Sequence, residues 1–182
     1  MNNPLSDILA RSRQLYSQAD IQQAIVNLAA AITKDLGQQD IVMLCVMKGG
    51  VPITAALMQE LSMPIKLDYI HATRYGNKLT GGEIQWLALP QTDLNAQTVL
   101  VVDDIFDEGQ TLKAIVDYSY EQGASLVKSA VLVEKKHNRK ATAFNVDYIG
   151  LTVPDQYVFG FGMDCEGWGR NLREIYSLEQ DN

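Results

Sequence analysis

The sequence predicts an α/β domain built on a mostly parallel sheet flanked by helices, with a small cap. Three observations lead there. Apolar runs of strand length, among them Ile41–Met47 and Val99–Val102, alternate with segments whose apolar residues recur at helical spacing. These runs lead into polar turns: Lys48-Gly49-Gly50, Asp103-Asp104 and Glu134-Lys135-Lys136. The last part of the chain carries only short strand-like pieces, which read as a cap, with the N-terminus as the other candidate to contribute to it.

From Leu5 to Leu36 the spacing is helical, with Ile21, Ala24, Ile25, Leu28, Ala29 and Ile32 on one face, Asp20 as N-cap and Gly37 as terminator. Ile41–Met47 reads as a buried strand and Val51–Leu61 as the helix after it. Pro64–Ala72 alternates apolar residues at Ile65, Leu67 and Tyr69 and reads as a strand. The polar stretch Thr73–Glu83, with Gly76, Gly81 and Gly82, has the length of a functional loop, and Ile84–Leu89 returns from it as a strand. Val99–Val102 is the next strand, Gln110–Gln122 its helix, and Gly123 the end of that helix. A strand from Ser125 to about Glu134 follows, then shorter ones near Val146–Leu151 and Gln156–Phe161. The expected organisation is one domain over residues 1–182, with a core of about 37–140 and a cap of about 146–182.

Composition narrows the function classes. At 47% hydrophobic and 20% charged residues the chain has the makings of an ordinary globular core. No apolar run approaches the roughly 18–20 residues that span a bilayer, and the start MNNPLSDILARSRQ lacks the apolar stretch of a signal peptide, so a cytoplasmic protein without a membrane partner is expected. Cys45 and Cys165 have no metal-ligand spacing and read as free thiols. The net charge of -7 repels polyanions, which argues against nucleic acid as a partner and requires local cations or a metal wherever a small anion binds.

The most informative stretch is VLVVDDIFDEGQTL, Val99–Leu112. Desolvating charge is expensive, yet two adjacent carboxylates follow a buried strand directly, with Asp107 and a glycine turn close behind. Carboxylates in such a place can accept hydrogen bonds from sugar hydroxyls or order a hydrated Mg²⁺ ion. The turn Asp107–Thr111, running into a helix, presents backbone N–H groups and a positive dipole end suited to phosphate. A ribose phosphate with Mg²⁺ would satisfy both features.

This stretch resembles the phosphoribosyl-pyrophosphate motif of the type I phosphoribosyltransferases. Three further segments, in the expected order, resemble the hypoxanthine-guanine branch: VMKGG (Val46–Gly50) the pyrophosphate loop, VLVEK (Val131–Lys135) the purine-contacting lysine strand, and VPDQYVFGFGMD (Val153–Asp164) the purine-binding segment. The resemblance covers roughly residues 40–175 and implies the type I phosphoribosyltransferase fold, with a hood as its cap. The implied activity is purine salvage, the transfer of a phosphoribosyl group to hypoxanthine or guanine with release of pyrophosphate.

The resemblance also implies roles. Asp103 and Asp104 would hold the ribose hydroxyls and Mg²⁺, Asp107 would act as general base, and Glu108, Gly109, Gln110 and Thr111 would wrap the 5'-phosphate. Lys48 and Gly49, behind a non-proline cis bond at Met47-Lys48, would bind pyrophosphate with Arg170. Lys135 would donate to the purine 6-oxo group, Tyr157 would stack on the base, Val158 would meet its edge through backbone atoms, and Asp164 would help to ligate a second Mg²⁺. Tyr75 would belong to a mobile lid over the site. Two positions depart from the family pattern: Glu108, where a small hydroxyl residue is usual, and Arg74, where serine is usual. His71 and His137 receive no chemistry. A homodimer or homotetramer is the implied assembly.

Two other readings stay open. One is a nucleotide-sensing regulator on the same scaffold, which would need a basic face where this chain offers only Lys135, Lys136, Arg139 and Lys140. The other is a transferase that prefers xanthine or a different base.

Overall fold

The structure, a computed structural model, describes residues 4–75, 83–138, 140 and 143–179. The expected N-terminal helix is in fact three elements. A short helix α1 (Pro4–Ala10) leads into a strand β1 (Ser12–Tyr16), and only then comes the long helix α2 (Gln18–Leu36). The N-cap of α2 is Ser17, not Asp20. The Ser17 hydroxyl accepts from the Asp20 N–H at 3.2 Å while the Asp20 carboxylate accepts from the Ser17 N–H at 2.9 Å, a reciprocal capping box. The apolar stripe of α2 is as expected: Ile21, Ala24, Ile25, Leu28, Ala29 and Ile32 are all buried.

The main sheet contains β2 (Ile41–Val46), β3 (Ile65–Tyr75), β4 (Glu83–Ala88), β5 (Thr98–Phe106), β6 (Leu126–Lys136) and β7 (Tyr148–Pro154), in the order β4-β3-β2-β5-β6-β7. All neighbours are parallel except β3 and β4. Helices α3 (Val51–Glu60) and α4 (Gln110–Glu121) complete the βα units after β2 and β5. Strands buried on both faces need apolar residues at every position. Met43, Leu100 and Val102 pack on the side of α2 and α3, while Val42, Leu44, Val99 and Val101 pack on the side of α4. No helix among the described residues is long and apolar enough to cross a membrane.

Strand β5 runs four residues past its expected end at Val102, because β6 continues beside it through the pairs Asp103↔Val131, Ile105↔Val133 and Phe106↔Glu134. The acidic pair therefore lies within the strand. The strand expected over Gln156–Phe161 is only β8 (Val158–Phe159), and a strand without a sequence expectation, β9 (Ile175–Leu178), joins it. Together β1, β9 and β8 form a small antiparallel sheet, so the cap draws on both ends of the chain. The Tyr16 hydroxyl donates to the Thr152 carbonyl at 2.5 Å, which ties the small sheet to β7.

Candidate functional site

From β2 the chain first moves outward to β3, then crosses back to place β5 on the other side of β2. Connections leaving β2 and β5 therefore diverge and open a crevice at their carboxyl ends, where ligands of such sheets bind. The turn after β2 carries Met47, Lys48, Gly49 and Gly50, and the turn after β5 carries Asp107, Glu108 and Gly109. A cavity of about 310 Å³ lies between them.

This cavity gathers most of the predicted residues. Lys48, Gly49, Asp103, Asp104, Asp107, Glu108, Gly109, Gln110, Thr111, Asp164 and Arg170 all line it. The Met47-Lys48 peptide bond is cis, as the resemblance implied. Gly49 is required by space, since a Cβ built there would lie 1.8 Å from Asp104 Oδ2. Gly109 is required by conformation: it caps α4 at φ 85°, in the left-handed region, and no side chain caps that helix start. The first N–H groups of α4 are thus presented at the cavity.

Electrostatics divides the carboxylates into two kinds. Burial, and then the neighbouring charge of Asp104, pushes the Asp103 carboxyl well above the ordinary carboxylate range, and burial raises Asp104 as well. A cation arriving with a ligand would relieve both effects. Asp107 goes the other way. Burial alone would raise it, but hydrogen bonds and charge from Lys135 and His137 outweigh that and hold it below the usual range. Lys135 Nζ lies 2.8 Å from Asp107 Oδ2, and His137 Nε2 lies 2.6 Å from Asp107 Oδ1.

The opposite wall comes from the loop between β8 and β9. Arg170 donates from Nη1 to the Gly162 carbonyl at 2.6 Å and from Nη2 to the Asp164 carboxylate, which also accepts from the Gly167 N–H at 2.8 Å. Tyr157 is half exposed, and its hydroxyl donates to the Asp164 carbonyl at 3.1 Å. Lys135, Tyr157 and Val158 do not line the cavity itself; the first two connect to it through Asp107 and Asp164. The Val158 side chain is buried in the core, so only its backbone is available to a ligand. Tyr75 ends β3, but its side chain and residues 76–82 of the expected lid lie outside the described residues. Cys45 and Cys165 are free and buried, and burial pushes both thiols up, toward the unreactive form.

Among the described residues no group of three or more His, Cys, Asp or Glu side chains converges to hold a metal. Asp103, Asp104 and Asp164 are therefore not one cage. An adjacent carboxylate pair suits Mg²⁺ nonetheless, because that ion keeps several waters and takes its other oxygens from a bound phosphate.

The residue that sequence reasoning missed is His137. It stands two positions beyond Lys135, the period that returns side chains to one side of an extended chain, and both donate to Asp107. That spacing was its only signal.

Comparison with known proteins gives a consistent result. The family model described as a phosphoribosyl transferase domain matches residues 12–167. The chain is 32% identical over 167 residues to a hypoxanthine-guanine phosphoribosyltransferase from Aquifex aeolicus, covering 91% of this chain and 93% of that protein. A crystal structure of a hypoxanthine phosphoribosyltransferase from Staphylococcus aureus superposes with a TM-score of 0.89 at 27% identity, over 98% of this chain and 96% of the other. A solved hypoxanthine-guanine-xanthine phosphoribosyltransferase superposes with a TM-score of 0.82 at 32% identity, over 92% and 97% of the two chains.

Proposed function

Because this chain belongs to the phosphoribosyl transferase family, in its hypoxanthine-guanine branch, we propose that it is a cytoplasmic purine salvage enzyme. It transfers the 5-phosphoribosyl group of phosphoribosyl pyrophosphate to hypoxanthine or guanine. The products are IMP or GMP and pyrophosphate. The observation that carries this reading is the placement of the Lys135–Asp107 pair at the edge of a crevice built from an acidic strand end and two glycine turns.

In this reading the 5'-phosphate sits on the turn Glu108–Thr111, where the start of α4 supplies N–H donors and a positive dipole end. While Asp164 would help to hold a second Mg²⁺, Asp103 and Asp104 accept from the ribose hydroxyls and would hold the Mg²⁺ that arrives on the pyrophosphate. When bound, that ion offsets charge developing on the leaving group. Lys48, the backbone of Gly49 and Arg170 take the pyrophosphate. Lys135 gives a proton donor to the purine 6-oxo group; an ammonium has no acceptor, so the amino group of adenine finds no partner there. Tyr157 stacks on the base.

The purine ring nitrogen attacks the anomeric carbon while the bond from that carbon to the pyrophosphate oxygen breaks. The nitrogen's proton passes to Asp107. A well-placed base of this kind contributes about 10²- to 10⁴-fold in rate, and the remainder comes from orientation and preorganised charge.

Self-association as a homodimer or homotetramer belongs to the same reading. Its support is the exposed apolar set Leu67, Tyr69, Leu87 and Leu89 on and beside β3 and β4.

The deciding experiment measures pyrophosphate release from phosphoribosyl pyrophosphate with hypoxanthine, guanine, xanthine or adenine as acceptor. Turnover with hypoxanthine or guanine and none with adenine is expected. Turnover with xanthine alone would reassign the acceptor, and turnover with none of the four would overturn the reading.

A further inference from the structure

The end of β6 and the segment that leaves it reach the end of β5 and the residue after it through three cationic or imidazole side chains among the described residues. Lys140 Nζ donates to the Phe106 carbonyl at 3.2 Å and stands 3.8 Å from the centre of the Phe106 ring, fixing the backbone just before Asp107. Lys135 holds one oxygen of Asp107 and His137 holds the other. The last two donors differ in what can happen to them. The transferase reading requires Lys135 to leave Asp107 for the purine, whereas the His137 side chain is 3% exposed and does not line the cavity.

We propose that His137 is the positioning residue for the general base: it keeps Asp107 Oδ1 in place so that Oδ2, vacated by Lys135, faces the ring N–H of the purine. This rests on the transferase reading above. Asp107 is an anion and accepts only, so His137 Nε2 carries the hydrogen of that bond. During transfer the purine N–H bond breaks and its proton goes to Asp107 Oδ2. The electron pair left on nitrogen forms the bond to the anomeric carbon, and the carbon–oxygen pair leaves with pyrophosphate. His137 keeps its proton throughout. A carboxylate with one oxygen held by a buried donor has its orientation set during folding instead of at the moment of reaction.

The test compares wild type with His137→Phe, which keeps a ring but removes the donor, and with His137→Gln, which returns an N–H donor. Steady-state kcat and both KM values are measured alongside thermal melting. His137→Phe is expected to lower kcat by about 10- to 100-fold with the KM for phosphoribosyl pyrophosphate nearly unchanged, and His137→Gln is expected to recover most of kcat. Wild-type kcat in the Phe variant would overturn the proposal, as would equal losses in Phe and Gln, which would mean packing alone. If the Phe variant does not fold, the Gln variant decides: a loss as large as that of Asp107→Asn overturns the proposal. Wild-type protein inactive on every 6-oxopurine would instead overturn the functional reading from which the proposal starts.

Discussion

Lys135 and Asp107 come from the ends of neighbouring parallel strands and meet at 2.8 Å, so the group assigned to the purine oxygen occupies the group assigned to the purine proton. On the proposed reading a purine parts them, and in doing so it changes the electrostatics of the base that acts on it.

The first prediction concerns this pair. Replacing Lys135 by Gln keeps an N–H donor but loses the charge, and a hydrogen bond to a charged group contributes about 1.5–3 kcal/mol against about 1 for a neutral one. Lys135→Gln should lower kcat/KM for hypoxanthine by about 10-fold or more. The loss should appear mainly in purine KM, with phosphoribosyl pyrophosphate binding unaffected. Initial-rate measurements over both substrates check it.

Acid stability gives the second. Asp107 is held below its ordinary value of 3.8, so its contribution to stability is present above about that pH and is lost as pH falls through the lower folded value. In Asp107→Asn this part of the acid sensitivity should disappear. Urea melts of wild type and variant at about pH 6 and about pH 3 should therefore differ more at the higher pH than at the lower.

Gly49→Ala supplies the third. Its Cβ would meet the Asp104 carboxylate, itself buried, so either the turn or the carboxylate must move. A cost of about 1–3 kcal/mol in stability is expected, together with a loss of phosphoribosyl pyrophosphate affinity out of proportion to it. Calorimetric titration with the substrate, beside thermal melts, separates the two effects.

A control comes from the far end of α2. Ser17→Ala removes one half of the capping box and should cost about 1 kcal/mol of stability. Because Ser17 does not line the cavity, kcat and both KM values should stay at wild-type levels.

Much of this was legible before any coordinates. Buried parallel strands announce themselves as continuous apolar runs, which is why β2 and the start of β5 were readable to within one residue. Of the cavity residues, Asp103 to Thr111 were readable as one contiguous acidic strand end and glycine turn, whereas Lys48, Gly49, Asp164 and Arg170 were reached only through resemblance to a family. What escaped depends on partners distant in sequence. Strand β1 exists because it pairs with β9, and no local period in Ser12–Tyr16 announces a neighbour at Ile175–Leu178. The last residues of β5 stay extended because β6 runs beside them, which a window around Asp103 does not reveal. His137 was hidden for a similar reason: the carboxylate it meets, Asp107, lies 30 positions earlier. Asp20 was misread as a cap because both halves of a capping box carry the same kind of oxygen, and only the pairing tells which one stands outside the helix.

The pairing of β1 with β9 has a consequence for how the molecule is made. On the ribosome every strand of the six-stranded sheet emerges before β9 does, so a nascent chain can assemble the floor with its phosphate turn while Asp164 and Arg170 still lack their closing strand. A chain cut short before Ile175 would thus keep all six strands of the main sheet and the turn into α4 but lack the strand on which both β1 and β8 pair.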